Sequence, residues 1–578
     1  MTEFLTQNFV PLMFAGLFVF LLTGIPVSFG LAATGLVFGF VGMEIGLFSN
    51  NLFSALPLRV FGIMQNDTLL AIPFFTLMGI ILERSGMAED LLETVGQVFG
   101  PLRGGLAVAV ILVGALLAAT TGVVAAAVIS MGLISLPIML RNGYNRTIAT
   151  GTITASGTLA QAIPPSLVLI VLADQLGRSV GDMYAGALIP GLLLVGLYLL
   201  FIVAVAIVKP GWVPALPPEA RIYRENNGAS GHRSLLILLL ICGVVGYLWS
   251  TVHQSIINPL VKRELPAPGD EIFIMSMTVA SVLALVLAIF NSLLKLGLLS
   301  KLCERFTFVL IPPLVLIFLV LGTIFLGVAT PTEGGAMGAV GALLMAASRG
   351  KLSFALLKQA LANTSKLAVF VLFILVGSTV FSFTFNAADG HIWVEHLFDK
   401  LPGGELGFLL VVNVLVFILG CFIDFFEIAF IVVPILAPVA SSMNIDLVWF
   451  GVILAMNLQT SFLTPPFGFA LFYLRSVAPK SDYKDRVTGQ LIPAVTTAQI
   501  YKGSIAFIIL QLIMVAAVIA FPGLVLEDES KKAQGLDATQ VLDQLDMQRD
   551  NMPNPNEKPA DYDPMAIFQQ EAASAPGK

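Results

Sequence analysis

The chain has 578 residues, of which 57% are hydrophobic and 11% charged, with a net charge of −6. That charged share is under half of the ~25% usual in soluble domains, and a soluble chain of this length could not hide so much apolar surface. A cytosolic enzyme, a disordered chain and a nucleic-acid binder are excluded, which leaves a multi-spanning membrane protein. The three cysteines, Cys242, Cys303 and Cys421, lie far apart and form no CxxC or zinc spacing. The N-terminus lacks the basic stretch of a cleaved signal peptide, so the first apolar run is expected to be retained.

A helix needs roughly 17–25 apolar residues to cross hydrocarbon. In chain order the apolar runs are 9–23, 25–42, 69–82, 105–138, 148–174, 184–208, 234–252, 272–292, 306–328, 330–347, 367–385, 405–438, 448–474 and 503–524. Two of them, 105–138 and 405–438, are too long for one span and too short for two spans with a loop. Each carries polar or glycine residues at its middle: Thr120, Thr121 and Gly122 in one, Asp424 and Glu427 in the other. They read as re-entrant hairpins; the same runs also fit a tight pair of full spans. The fold class expected is therefore an all-α membrane protein with about 12 transmembrane helices plus two hairpins.

Of the 30 Lys and Arg residues, 20 fall in the loops of one side. The other side, without the C-terminal tail, holds 5. Basic residues accumulate on the cytoplasmic side, so both termini are expected outside, in the periplasm. The tail, 526–578, is acidic, rich in Pro, Asp and Gln, and expected to be disordered.

The prolines reveal an internal repeat. Pro164-Pro165 begins 27 residues after Pro137, and Pro465-Pro466 begins 27 residues after Pro438, a shift of 301 in both cases. The same register lays hairpin 105–138 on 405–438, and run 148–174 on 448–474. Paired loops carry opposite charge bias, as inverted-topology repeats require. The domains expected are a first repeat over 1–208, a linker with an inserted helical pair over 209–300, a second repeat over 301–525, and the tail. Inverted repeats are the architecture of many secondary transporters, which bind solute near the midplane.

Run 148–174 contains Ser156, Gly157, Thr158 and then Pro164-Pro165-Ser166; its mate contains Asn457, Gln459, Thr460 and then Thr464-Pro465-Pro466. Two successive prolines break a helix and free its carbonyls, and at membrane depth such backbone survives only where protein or a cavity satisfies it. Carbonyl and hydroxyl oxygens suit a hard monovalent cation such as Na⁺, and half-helix N-termini favour an anion. A proline kink with satisfied hydroxyls fits the same residues. The candidate cation ligands are Thr120, Thr121, Gly122, Ser156, Gly157, Thr158, Pro164, Asp424, Asn457, Gln459, Thr460, Thr464 and Pro465. Thr121, Ser166, Thr464 and Gly468 are candidates for the solute. Asp424 fits a ligand of a second cation, a gate for solvent or a cap on the hairpin tip. Glu333, with Thr330 and Thr332, fits a structural or gating role, as a buried acid bonded between two helices or as a ligand. No Lys or Arg lies inside a span, no hydrolase constellation exists at membrane depth, and no Walker motif is present. The chain is therefore not expected to be an enzyme, and no cofactor beyond a coupling ion is expected. An ion antiporter on a related inverted-repeat fold is the alternative function.

Three motifs in order carry a family resemblance. Ala329-Thr330-Pro331-Thr332-Glu333, Ser156-Gly157-Thr158 through Pro164-Pro165-Ser166, and Thr464-Pro465-Pro466-Phe467-Gly468 resemble the motifs of the large membrane subunit of tripartite ATP-independent periplasmic (TRAP) transporters. The resemblance spans roughly residues 5–525. It implies an elevator fold with scaffold and transport domains, coupling to a Na⁺ gradient, and uptake of an organic acid across a bacterial inner membrane. It implies two partners, a periplasmic solute-binding protein and a small four-helix membrane subunit. No four-helix block precedes residue 9, so that subunit is expected to be a separate chain. The inserted pair and the acidic tail match a long-chain subgroup.

Overall fold

A computed structural model describes residues 2–223, 231–263, 266–399, 402–485 and 488–526, without the side chains of Thr2, Leu21, Leu22, Thr121 and Asp399. The expected disorder of the tail after residue 526 concerns residues outside that description.

The first half holds helices α1 (Thr2–Gln7), α2 (Phe9–Leu22), α3 (Val27–Glu44), α4 (Leu56–Met64), α5 (Ala71–Arg84), α6 (Met87–Phe99), α7 (Gly105–Thr121), α8 (Val124–Arg141), α9 (Arg146–Thr158), α10 (Leu167–Gln175) and α11 (Val180–Val208). Two long helices follow, α12 (His232–Leu260) and α13 (Gly269–Leu294). The second half holds α14 (Lys301–Phe325), α15 (Pro331–Ser348), α16 (Phe354–Ala387), α17 (Gly390–Asp399), α18 (Gly404–Gly420), α19 (Phe425–Ser442), α20 (Leu447–Ser461), α21 (Phe469–Val477) and α22 (Thr497–Ala520). The sequence marks where many of them start. Asn145, Ser179, Ser300, Ser353 and Asp446 each accept a hydrogen bond from a first-turn amide, which satisfies a donor the helix itself leaves open.

Nine described helices are long and apolar enough to cross a membrane, or ten if the bent pair is one span. The expected twelve are not all met by length and composition. Helices α7, α18 and α20 fall short at 17, 17 and 15 residues; each was expected inside a hairpin or an interrupted span. Helix α15 is 18 residues, half of them Gly or Ala, and is not among the nine.

Besides α1 in the N-terminal stretch 1–8, three stretches expected as loops hold an α-helix of their own. Residues 52–64 form helical turns that meet α5 at 48°. Helix α6 is amphipathic: Leu91, Leu92 and Val95 are buried, while Asp90 pairs with Arg305 and Arg349 and ties α6 to α14 and the end of α15. Helix α17 occupies part of 386–404. All three are too short or too charged to register as spans; α6 and α17 keep the 3.6-residue period that buries one face, with Val394 and Phe398 buried on α17, while α4 buries no residue.

Both halves share one succession: helix, break, helix, then helix, break, helix. In the first half α7 and α8 meet at Gly122, whose φ of +60° suits glycine. The two arms pack side by side. In the second half α18 and α19 meet across Cys421–Asp424. Helices α9 and α22 approach closely. A Cβ on Gly151 would stand 2.2 Å from the Gly503 carbonyl oxygen, so the two backbones touch directly. Small residues permit such approaches between helices in lipid.

The only described strands are two-residue segments after α21, β1 (Tyr483–Lys484) and β2 (Leu491–Ile492), which pair antiparallel. Arg141, at the end of α8, holds Asp485 in this loop with two contacts of 3.0 Å. Burial pushes the Asp485 carboxyl up, but the Thr488 amide and hydroxyl and then Arg141 outweigh it and hold the group at about 2. A depressed carboxylate contributes stability that is complete above its unfolded value, ~3.9, and is lost as pH falls through the folded value. Pepsin cleavage of the 478–496 loop should therefore stay slow at pH 3 and accelerate near pH 2. In Arg141→Ala the acceleration should begin closer to pH 4.

Candidate functional site

Helix α9 ends at Thr158, a 3-10 turn covers Leu159–Gln161, and Ser166 caps α10 after the paired prolines. Every residue from 151 to 173 is buried. Helix α20 ends at Ser461 and α21 starts at Phe469. The two breaks are not equivalent. Thr464 and Pro465 are half-buried, and Pro466 and Phe467 are exposed, so the second break opens to the surface while the first is sealed.

Each break lies against the hairpin before it. A Cβ at Gly157 would stand 2.3 Å from Val128 of α8, and one at Gly122 would stand 2.9 Å from Leu167 of α10. In the second half a Cβ at Gly420 would stand 2.2 Å from the Ser461 hydroxyl. Asn457 donates to the Asn413 carbonyl at 2.7 Å and ties α20 to α18.

The hydroxyls are oriented by their own helices. Thr120 donates to Leu117, Ser156 to Ile153, Thr158 to Ala155, Thr460 to Met456 and Thr464 to Thr460, all at 2.9–3.0 Å. A hydroxyl carries one proton and two lone pairs. With its proton on a helical carbonyl, each presents only acceptor oxygen.

The two breaks meet through a buried polar network. Gln511 of α22 donates to the Tyr198 hydroxyl of α11 at 2.7 Å and to Thr158 at 3.4 Å. Gln459 lies beside the same hydroxyl without reaching hydrogen-bond geometry. The side-chain amides of Gln161 and Gln459 are fully buried and have no hydrogen-bond partner among the described residues. A buried amide without a partner costs about 1–3 kcal/mol, so each is open to a polar occupant. Oxygen-rich, uncharged and closed to bulk solvent, the centre has the donor set that a hard alkali cation takes.

The other expected residues make different contacts. Asp424 and Glu427 form a capping box at the start of α19: Asp424 accepts from the Phe425 amide at 2.7 Å, and Glu427 accepts from the Asp424 amide at 3.3 Å. No hydrogen bond joins Asp424 to Asn457, Thr460 or Thr464 among the described residues. The expectation of Glu333 as a buried acid is corrected. It is exposed and forms a capping box with Thr330, whose amide it accepts at 2.8 Å. The box satisfies open amides at a helix start that faces the surface. Thr332 donates to the Asp67 carbonyl at 2.5 Å and ties α15 to the turn before α5. Ser166 is buried and donates to the Gln161 carbonyl at 2.9 Å, so it closes the first break. Gly468 is buried beside the partly open Thr464. Gly122 and Pro164 sit at the first hairpin tip and the first break; the Thr121 side chain lies outside the described residues.

Tyr198, Gln511, Gln161 and Asn413 were not anticipated. Their signal was a lone polar side chain within an apolar run, which costs free energy in lipid and calls for a partner.

A helical bundle wrapped around two interrupted helices that share a buried polar centre is a multi-pass membrane protein of the transport class. The chain matches the family described as the tripartite ATP-independent periplasmic transporter, DctM component, over residues 14–261 and 268–524. It belongs to that family, and so is a transport component rather than an enzyme. It is 27% identical over 436 residues to a C4-dicarboxylate TRAP transporter large permease of Pseudomonas aeruginosa, covering 75% of this chain and 83% of the relative. It is 26% identical to the namesake of Rhodobacter capsulatus, covering 80% and 88%. It is 25% identical to a sialic acid TRAP transporter large permease of Vibrio cholerae, covering 79% and 87%.

Proposed function

We propose that this chain is the large permease subunit of a Na⁺-coupled, binding-protein-dependent importer of an organic acid across a bacterial inner membrane. The observation that carries the reading is the buried meeting of both breaks, where Thr158, Gln459, Tyr198 and Gln511 converge beside unpartnered amide oxygens. Na⁺ exchanges its water for hydroxyl, amide and freed carbonyl oxygens there. The ligand set comprises Ser156, Thr158 and Gln161 from the first break, with Asn457, Gln459, Thr460 and Thr464 from the second. The carboxylate sits at the more open second break, by Thr464 and Gly468, at the N-terminus of α21, whose dipole favours negative charge. Relatives named for C4-dicarboxylate and sialic acid transport support an acid as the solute.

The two halves act as inverted repeats, with hairpins and broken helices moving as a transport domain against the remaining helices. Both termini face the periplasm, a small four-helix membrane subunit completes the membrane complex, and a periplasmic protein delivers the solute. An antiporter would need a titratable acid at each break, and the first break has none among its described residues.

Co-reconstitution of the three components in vesicles tests this reading. Uptake of the acid supplied on its binding protein should require an inward Na⁺ gradient and stop when K⁺ replaces Na⁺. Equal uptake in K⁺, or uptake without the binding protein, would overturn it.

A further inference from the structure

A cavity of about 630 Å³ lies between the start of α3, the middle of α16 and the first turn of α19. It shares no residue with the polar centre of the two breaks. Its long wall is a stripe on α16: Lys366, Val369, Phe370, Phe373 and Ile374. This spacing puts all five on one helix face, and at 1.5 Å per residue the stripe is ~12 Å long. Residues 25–29 form the facing wall, where the Phe29 and Phe373 rings meet edge-on at 5.0 Å. Val369, Phe370, Phe373 and Phe29 are all substantially exposed. The cavity is thus an open apolar groove on the side of the molecule.

Two charges break that apolar character. Lys366 makes no hydrogen bond or ion pair among the described residues, although it stands at one end of the stripe. Glu427 also lines the cavity. One of its oxygens accepts the Asp424 amide in the capping box, which leaves the other for an occupant. No ion pair joins Lys366 to Glu427, so the two charges stand more than 4.0 Å apart with the groove between them.

We propose that this groove binds an aminophospholipid, a diacyl lipid whose headgroup carries a phosphodiester and a primary ammonium. The acyl chain lies along Val369, Phe370 and Phe373. Lys366 takes the phosphodiester, as a lysine near a membrane surface does when its stem runs along apolar neighbours. Glu427 takes the ammonium, which supplies three N–H donors. A purely anionic headgroup would satisfy Lys366 but face the Glu427 carboxylate. A trimethylated headgroup has no N–H for Glu427. A free dicarboxylate would leave the apolar walls uncovered. The two charges and the stripe together select one amphiphile.

Thermal melting and native mass spectrometry of the delipidated full chain in detergent test the proposal. Phosphatidylethanolamine should be retained as a bound adduct and raise Tm more than phosphatidylglycerol or phosphatidylcholine. Inorganic phosphate and the deacylated headgroup, glycerophosphoethanolamine, should have no effect. Lys366→Gln should weaken phosphatidylethanolamine and phosphatidylglycerol binding alike, by at least 5-fold, the modest end for one lost charge contact at a surface. Glu427→Gln keeps a side chain able to complete the capping box and should remove the preference for phosphatidylethanolamine over phosphatidylglycerol. Val369→Trp, which fills the groove from an exposed position, should abolish the adduct while the protein stays folded. Unchanged lipid preference in both charge variants would overturn the proposal. So would a Tm response to phosphate or to succinate equal to that for phosphatidylethanolamine. Neither result bears on Na⁺-dependent uptake.

Discussion

Gly151→Val is expected to be the most damaging single change in the α9–α22 contact. A Cβ on Gly151 meets the Gly503 carbonyl oxygen at 2.2 Å and the Gly503 Cα at 3.0 Å. These are backbone atoms, which cannot rotate away as a side chain would. The helices must therefore separate. Overpacking in a dense core costs ~1–3 kcal/mol and sometimes more; an obstacle made of backbone belongs at or above the upper end. The separation also pulls Gln511, further along α22, from Tyr198 and Thr158. Melting in detergent should show a large fall in Tm, and Gly151→Ala an intermediate one. A Tm within a degree or two of the parent for Gly151→Val would mean that these helices do not touch as described.

The second large effect concerns coupling. Thr158→Val keeps the side-chain shape and removes one oxygen from the buried centre. Gln511 keeps its 2.7 Å bond to Tyr198, so the network is thinned rather than broken. The Na⁺ concentration for half-maximal uptake should rise at least 10-fold, equivalent to ~1.4 kcal/mol. Affinity of the binding protein for its solute should not change. Gln459→Leu removes an amide from the second break, and the double variant should cost less than the two single effects added, since both act on one occupant. Tyr198→Phe separates site from scaffold: it leaves the Gln511 amide short of a partner and should lower Tm, by ~1–3 kcal/mol of stability. An unaltered Na⁺ response in both Thr158→Val and Gln459→Leu, with normal folding, would remove these residues from the ion's path.

Much of this arrangement is legible in the residues. Pro164-Pro165 and Pro465-Pro466 mark the interruptions, because proline cannot continue a helix whichever half contains it. Gly122 and the Asp424–Glu427 stretch mark the tips of the hairpins. Other features depend on partners far along the chain. Nothing local distinguishes Tyr198 from Tyr184, yet only Tyr198 meets Gln511, 313 residues away. Asp424 fitted a ligand and a cap alike, because acids are rare in lipid; its capping box with Glu427 depends on where α19 begins. Helix α6 was invisible to a search for long apolar runs, since half its face is charged. The unequal burial of the two breaks was also beyond reach, because the repeat makes them look alike on paper.

The way the threonines and serines hold their protons bears on the empty carrier. Thr158, Ser156, Thr460 and Thr464 each keep the O–H on a carbonyl of their own helix. Loss of the proposed ion therefore strips none of these four hydroxyls of its hydrogen-bond mate and leaves only lone pairs bare there, a smaller penalty than orphaned N–H groups; the amides of Gln161 and Gln459, unpartnered among the described residues, are not included. On the proposed function, an unloaded protein can thus rest folded and make the return journey without cargo, which a machine working in cycles must do once for every molecule it delivers.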